Sequence, residues 1–110
     1  MKNYNELTRE EKLACMSLYT EEAKDNEDGV IRQDAYRALG YTEEPKKDED
    51  WYIRRETYRI LGYTEKAKKD EDSDIRREAY RVLGYTEESR NDEDSNIRRE
   101  AEIYFRVKNS

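Results

Sequence analysis

The chain contains no histidine and only one cysteine, Cys15. Without histidine, no side chain has an ordinary pKa placing its charge change between pH 5 and 8. That removes the commonest general acid–base group. A single cysteine excludes an internal disulfide. Cys15 lies in the helical apolar stretch "KLACMSLY", where a buried core thiol is expected rather than a nucleophile. The carboxylates repeat and look charge-paired, so no pair stands out as an acid and base set at glycosidase spacing. The reading is therefore not an enzyme, with no cofactor and no catalytic residue. No apolar run is long enough to span a bilayer. The N-terminus "MKNYNELTREEK" has no apolar signal segment, so a cytoplasmic protein is expected. Apolar residues make up only 34% of the chain against 45% charged. Unpatterned, such a composition would suggest disorder. The net charge of −6 disfavours nonspecific attraction to nucleic acid or anionic lipid.

The composition is, however, strongly patterned. The dipeptide Tyr-Thr recurs at Tyr19, Tyr41, Tyr63 and Tyr85, always 22 residues apart. Around it stand four related strings: "NEDGVIRQDAYRALGYTEEPKK" (26–47), "DEDWYIRRETYRILGYTEKAKK" (48–69), "DEDSDIRREAYRVLGYTEESRN" (70–91) and the truncated "DEDSNIRREAEIYFRVKNS" (92–110). Residues 4–25 read as a degenerate first copy. A single domain of such units would span 1–110.

Each unit reads as a helix, a turn and a short second helix. In the third unit, Asp72 can cap the helix start by accepting from a free backbone N–H. Ile75, Ala79, Val82 and Leu83 follow at the spacing of one helical face, the expected core stripe. Gly84 then suits a left-handed C-terminal cap. Thr86 can cap the next element, for which only about one turn is available, so a short α or 3₁₀ helix is expected. Pro45 falls in the first turn of one such element, where its missing N–H is harmless. At the chain's start, Thr8 and Glu11 have the spacing of a capping box. One such unit cannot bury its stripe alone, whereas stacked units share a continuous core. With helices about 8–10 Å apart, five units would form a rod on the order of 40–50 Å.

The pattern D-x-D-x-x-I-R-x-x-A-x-x-x-L-G, carried by Asp70, Asp72, Ile75, Arg76, Ala79, Leu83 and Gly84, resembles the second-helix signature of HEAT-like repeats. The short unit is also similar to the leucine-rich repeat variant, which alternates α and 3₁₀ helices. Both resemblances imply an all-α, right-handed α-solenoid of about five repeats and a role in macromolecular binding. The HEAT-like resemblance further implies a structural ladder between units, in which Asp48, Asp70 and Asp92 meet Arg32, Arg54, Arg76 or Arg98. Asn26 stands where the first ladder aspartate would be.

The ends depart from the repeat. Tyr36, Tyr58 and Tyr80 share one position, which Glu102 occupies in the last copy. Each tyrosine is expected to pack toward the following unit. Arg106 replaces the glycine, so no turn is expected there.

Opposite the Ile-Ala-Leu stripe, Arg55, Arg77 and Arg99, with Arg37, Arg59 and Arg81 four residues on, would form an arginine band. Asp34, Glu56, Glu78 and Glu100 flank it and can pair at i,i+3. The "DED" turns would line an acidic edge. "DNEDG" at 25–29 only partly resembles a calcium loop and lacks the later glutamate, so no metal is expected. Trp51 and Tyr52 replace small or polar residues at the start of a helix and read as interface anchors. The candidate partner-binding residues are thus Trp51, Tyr52, Arg55, Arg59, Arg77, Arg81 and Arg99. The expected function is a protein–protein interaction module. An acidic inhibitor mimicking nucleic acid in a basic cleft is the alternative, and nucleic-acid binding through the arginine band the third. Neither the partner's identity nor the oligomeric state is written in the sequence.

Overall fold

The structure, a computed structural model, describes all of residues 1–110. It is all-helical, without strands. Six α-helices are present: α1 (Arg9–Ala14), α2 (Thr20–Lys24), α3 (Gly29–Leu39), α4 (Trp51–Leu61), α5 (Ser73–Leu83) and α6 (Ser95–Lys108). From α3 onward, 3₁₀ helices alternate with them, at Glu44–Lys47, Glu65–Lys69 and Glu87–Asn91. The starts of α3 to α6 are 22 residues apart, the period of the sequence. No helix is long and apolar enough to cross a membrane. The chain divides into two compact units, Met1–Leu61 and Gly62–Ser110.

The first unit opens with short pieces. A 3₁₀ turn (Tyr4–Glu6) precedes α1, and another (Met16–Leu18) separates α1 from α2. Thr8 and Glu11 form the expected capping box: Glu11 N–H donates to Thr8 Oγ1 at 3.1 Å, and Thr8 N–H donates to Glu11 Oε1 at 2.9 Å. Met16, Ala23 and Ala35 form a buried cluster flanked by Leu13 and Leu39. Cys15 is half-buried rather than buried; its neighbour Met16 takes the interior place. Thr57 occupies the position of Ala35 and is wholly buried, its hydroxyl donating to Ile53 O at 2.7 Å. That local bond lets a polar side chain stand in the core.

In the second unit, Tyr80, Tyr85, Ile97 and Ala101 form the core, with Tyr104 and Phe105 against it. The Tyr80 and Tyr85 rings stack at 5.3 Å between centroids. Tyr80 thus packs toward α6, as expected from the sequence, and Glu102 at the matching position is exposed. Asp72 caps α5 by accepting from Asp74 and Ile75 N–H at 3.0 and 3.1 Å. Asp94 caps α6 in the same way.

Two local expectations need correction. Val82 and Leu83 are not core: they are 64% and 40% exposed, as are Ile60 and Leu61 at 57% and 41%. The buried stripe of α5 is Ile75, Arg76, Ala79 and Tyr80. Apolarity marked Val82 and Leu83, but they stand in the last turn. The tyrosine ring fills the interior, and an ion pair neutralises the buried arginine. Thr86 opens its 3₁₀ helix in a capping box with Ser89, whose Oγ accepts from Thr86 N–H at 3.1 Å.

The helix stops at Gly40 and Gly84 differ from a left-handed cap as well. Gly84 has φ 104° and ψ 144°, and its N–H donates to Tyr80 O at 2.8 Å. Gly40 repeats this at φ 110° and ψ 146°. Only glycine reaches this region without strain. An added Cβ on Gly84 would meet nothing closer than the Tyr104 hydroxyl at 3.4 Å, so backbone strain alone sets the cost. Gly84→Ala is expected to lower unfolding free energy by about 1–3 kcal/mol, measurable by urea denaturation, with helix content unchanged by circular dichroism.

Candidate functional site

The first aspartate of each D-x-D turn folds the loop, and the second opens the helix. Asp48, Asp70 and Asp92 accept from the N–H of Asp50, Asp72 and Asp94 at 2.8–2.9 Å. On its other side the first aspartate can receive an arginine. Arg32 donates through Nε and Nη2 to both carboxylate oxygens of Asp48, at 3.0 and 3.1 Å. Its Nη1 donates to Asn26 O and Glu27 O, in the loop before its own helix. Arg76 does the same with Asp92, at 3.0 Å for both bonds, and with Asp70 O and Glu71 O. All four side chains are at most 9% exposed. The hydrogen bond to Asp48 raises the Arg32 pKa above its ordinary value despite burial, and Asp92 does so for Arg76. Arg54 makes the same two loop bonds, to Asp48 O and Glu49 O. Arg98 makes one, to Asp92 O at 2.6 Å.

The acidic edge is consequently thinner than the composition suggests. Asp48 and Asp92 face inward, and only the middle glutamates, such as Glu49 and Glu93 at 79% and 87% side-chain exposure, stand in solvent. No three carboxylate or thiol groups converge as a metal site.

The arginine band is paired differently from the i,i+3 expectation. Arg37 Nε and Nη2 clasp the carboxylate of Glu56, 19 residues on, at 2.7 and 2.8 Å. The Tyr41 hydroxyl donates to the same carboxylate. Arg81, Glu100 and Tyr85 repeat this arrangement, with arginine bonds of 2.8 and 2.6 Å. The arginine hydrogen bonds pull the Glu56 and Glu100 carboxyls down from 4.5 to about 2, while burial chiefly pushes the Tyr41 and Tyr85 hydroxyls up. A signal for these triads was present in the sequence, because Arg, Tyr and Glu recur together at 37, 41, 56 and at 81, 85, 100. Among the other candidates, Arg59 and Arg99 are exposed, and Arg55 and Arg77 are half-buried rather than on the far side from the core. Arg77 pairs with Asp74, three residues earlier on α5, at 3.2 Å.

Trp51 is 42% exposed at the start of α4. Its ring lies edge-on to Tyr52, 6.1 Å away, with the Arg55 guanidinium 5.8 Å from its centroid. Tyr52 is half-buried, and its hydroxyl donates to Asp50, which also accepts from Arg32 at 2.6 Å. Tyr52 is thus held by the network, whereas the Trp51 indole stays largely in solvent. Gly29, the counterpart of Trp51, leaves room for this: a Cβ there would lie 2.1 Å from Asp50 Oδ2 and 2.3 Å from the Tyr52 hydroxyl oxygen.

Removing one member of a buried pair strands the other charge, so Arg76→Ala or Asp92→Ala is expected to cost about 3–5 kcal/mol in urea unfolding. The Glu100 carboxyl is expected to titrate near 2 by carbon-detected NMR, and Arg81→Ala to return it toward 4.5. Because the folded pKa is depressed, the triad's stabilisation is present above pH 4.5 and is lost as pH falls toward 2.

In comparisons with known proteins, no family model matches this chain, and no curated protein and no solved structure is significantly similar to it.

Proposed function

We propose that this chain is a non-enzymatic protein–protein interaction module, built as a right-handed α-solenoid of about five 22-residue units and acting in the cytoplasm. The 22-residue recurrence and the α/3₁₀ alternation support the architecture, which is similar to HEAT-like and leucine-rich-variant repeats. The observation that carries the function is Trp51. A large indole, 42% exposed with an arginine beside it, stands where the other copies have Gly29, Ser73 and Ser95. A residue serving only the repeat would not need to differ there. Tryptophan and arginine are the side chains most enriched among interface hot spots.

The nucleic-acid-mimic reading draws on the exposed middle glutamates, one per turn. It is weakened by the inward commitment of Asp48 and Asp92. Direct nucleic-acid binding has less support, since Arg37 and Arg81 are engaged with glutamates and the net charge is −6.

Affinity capture with mass spectrometry tests the reading. Trp51→Ala is expected to weaken the captured complex about thirtyfold, corresponding to about 2 kcal/mol at a hot spot, while leaving the urea midpoint nearly unchanged. Binding that survives Trp51→Ala but collapses with salt would favour the mimic.

A further inference from the structure

Two of the three repeat tyrosines carry a lysine on the ring. Tyr80 stacks on Tyr85 at 5.3 Å, and Lys68 Nζ lies over its ring, 5.5 Å from the centroid. Lys46 Nζ lies over Tyr58 in the same way, at 5.4 Å. Both lysines are withdrawn from solvent, and each is held by the glutamate three residues before it: Glu65 at 3.1 Å and Glu43 at 2.9 Å. The free face of the repeat tyrosine is thus suited to an alkylammonium.

Tyr36 is the exception. Tyr41 stacks on it at 5.7 Å, but no lysine or arginine of the chain lies over its ring. Lys24, one period before Lys46, ends the α-helical turn of α2, whereas Lys46 stands in a 3₁₀ helix. The different winding points its side chain elsewhere around the helix axis.

Beside Tyr36 is a pocket of about 460 Å³ within the first compact unit. Tyr36 lines it and Tyr41 does not, so the pocket meets the ring away from its stacked face. Tyr36 is only 4% exposed, and its hydroxyl makes no hydrogen bond within the chain. Burial chiefly, then the charges of Glu44, Asp48 and Asp25, push that hydroxyl above its ordinary pKa. These carboxylates belong to the pocket walls, which places the hydroxyl on the pocket side. Asp48 is neutralised by Arg32. The remaining wall carboxylates, Asp25, Glu27, Glu44 and Glu49, face only Lys24 and Lys47, which leaves two negative charges uncompensated.

We propose that this pocket binds a small aliphatic diamine, with one ammonium on the Tyr36 ring where the other units place their own lysine. A ligand N–H gives the Tyr36 hydroxyl the partner it lacks, and the second ammonium answers the remaining charge. The acids divide between two turns, Asp25 and Glu27 before α3, and Glu44 and Glu49 around the turn before α4. That division favours two cationic ends over the single ammonium of a partner's lysine. Trp51 is not among the walls, so the site is independent of the protein contact assigned to it.

The test is NMR of the tyrosine ring signals in the full chain, titrated with 1,4-diaminobutane. The Tyr36 signals are expected to shift saturably, while those of Tyr58 and Tyr80, which already carry lysines, stay in place. Tyr36→Leu should weaken binding about tenfold through loss of the ring face. Glu44→Gln, on an exposed side chain that leaves the fold intact, should weaken it about threefold. Glu88→Gln, an exposed carboxylate of the other unit, should leave it unchanged. Equal shifts with magnesium, or equal losses in Glu44→Gln and Glu88→Gln, would reduce the effect to general attraction of cations and overturn the proposal. Tighter binding of N-acetyl-lysine methylamide would overturn the diamine in favour of a partner's lysine. Nuclear Overhauser contacts from Lys24 to the Tyr36 ring, as strong as those from Lys46 to Tyr58, would also overturn it, because the chain would then fill its own site. None of these results touches the loss of capture expected in Trp51→Ala.

Discussion

A guanidinium buried against a carboxylate is the constraint on which the rest of this structure depends. Arg32 and Arg76 each join three things at once: their own helix, the loop before it and the turn that opens the next helix. The geometry leaves little slack. The Arg76 fork must meet both oxygens of Asp92 while Nη1 reaches two carbonyls behind it. Burying two charges is costly unless nearly every hydrogen-bonding group is matched. Here the aspartate's remaining capacity is taken by a backbone N–H of its own turn. The charged groups thereby specify where one helix ends relative to the next, which a thin apolar core could not do alone.

That constraint also explains the composition. With 34% apolar residues, the chain cannot fill an interior with aliphatic side chains. It uses tyrosine rings and paired arginines instead. Tyr80, Tyr85 and Tyr104 supply the bulk around Ile97 and Ala101. The Tyr85 hydroxyl is turned to Glu100, so the ring can be buried without stranding its polar tip. Exposed aliphatic pairs such as Val82–Leu83 remain outside because aromatic rings have taken their place within.

Much of this was legible beforehand, and the division follows interaction range. Capping by Asp72, the Thr8–Glu11 box and the position of Gly84 involve atoms within a few residues, and the string itself displays them. The Arg76–Asp92 bond could be expected only by resemblance to other repeats. The Arg81–Glu100–Tyr85 triad was written in the same recurrence but was masked by an equally good local alternative, pairing at i,i+3. Arg77 with Asp74 takes that local form, while Arg81 reaches across to the next helix. Helical spacing permits both, and only the approach of α6 to α5 selects between them.

The sequence by itself determined the 22-residue period, the helix starts and the glycine stops, because these are set by backbone bonding over one or two turns. It also marked Trp51 as a departure from its neighbours. Only the tertiary structure decided which side of each helix is interior and which arginines are engaged. Those properties depend on what a neighbouring element covers. A residue's burial and its ionic partner belong to the pair of surfaces, not to the residue alone.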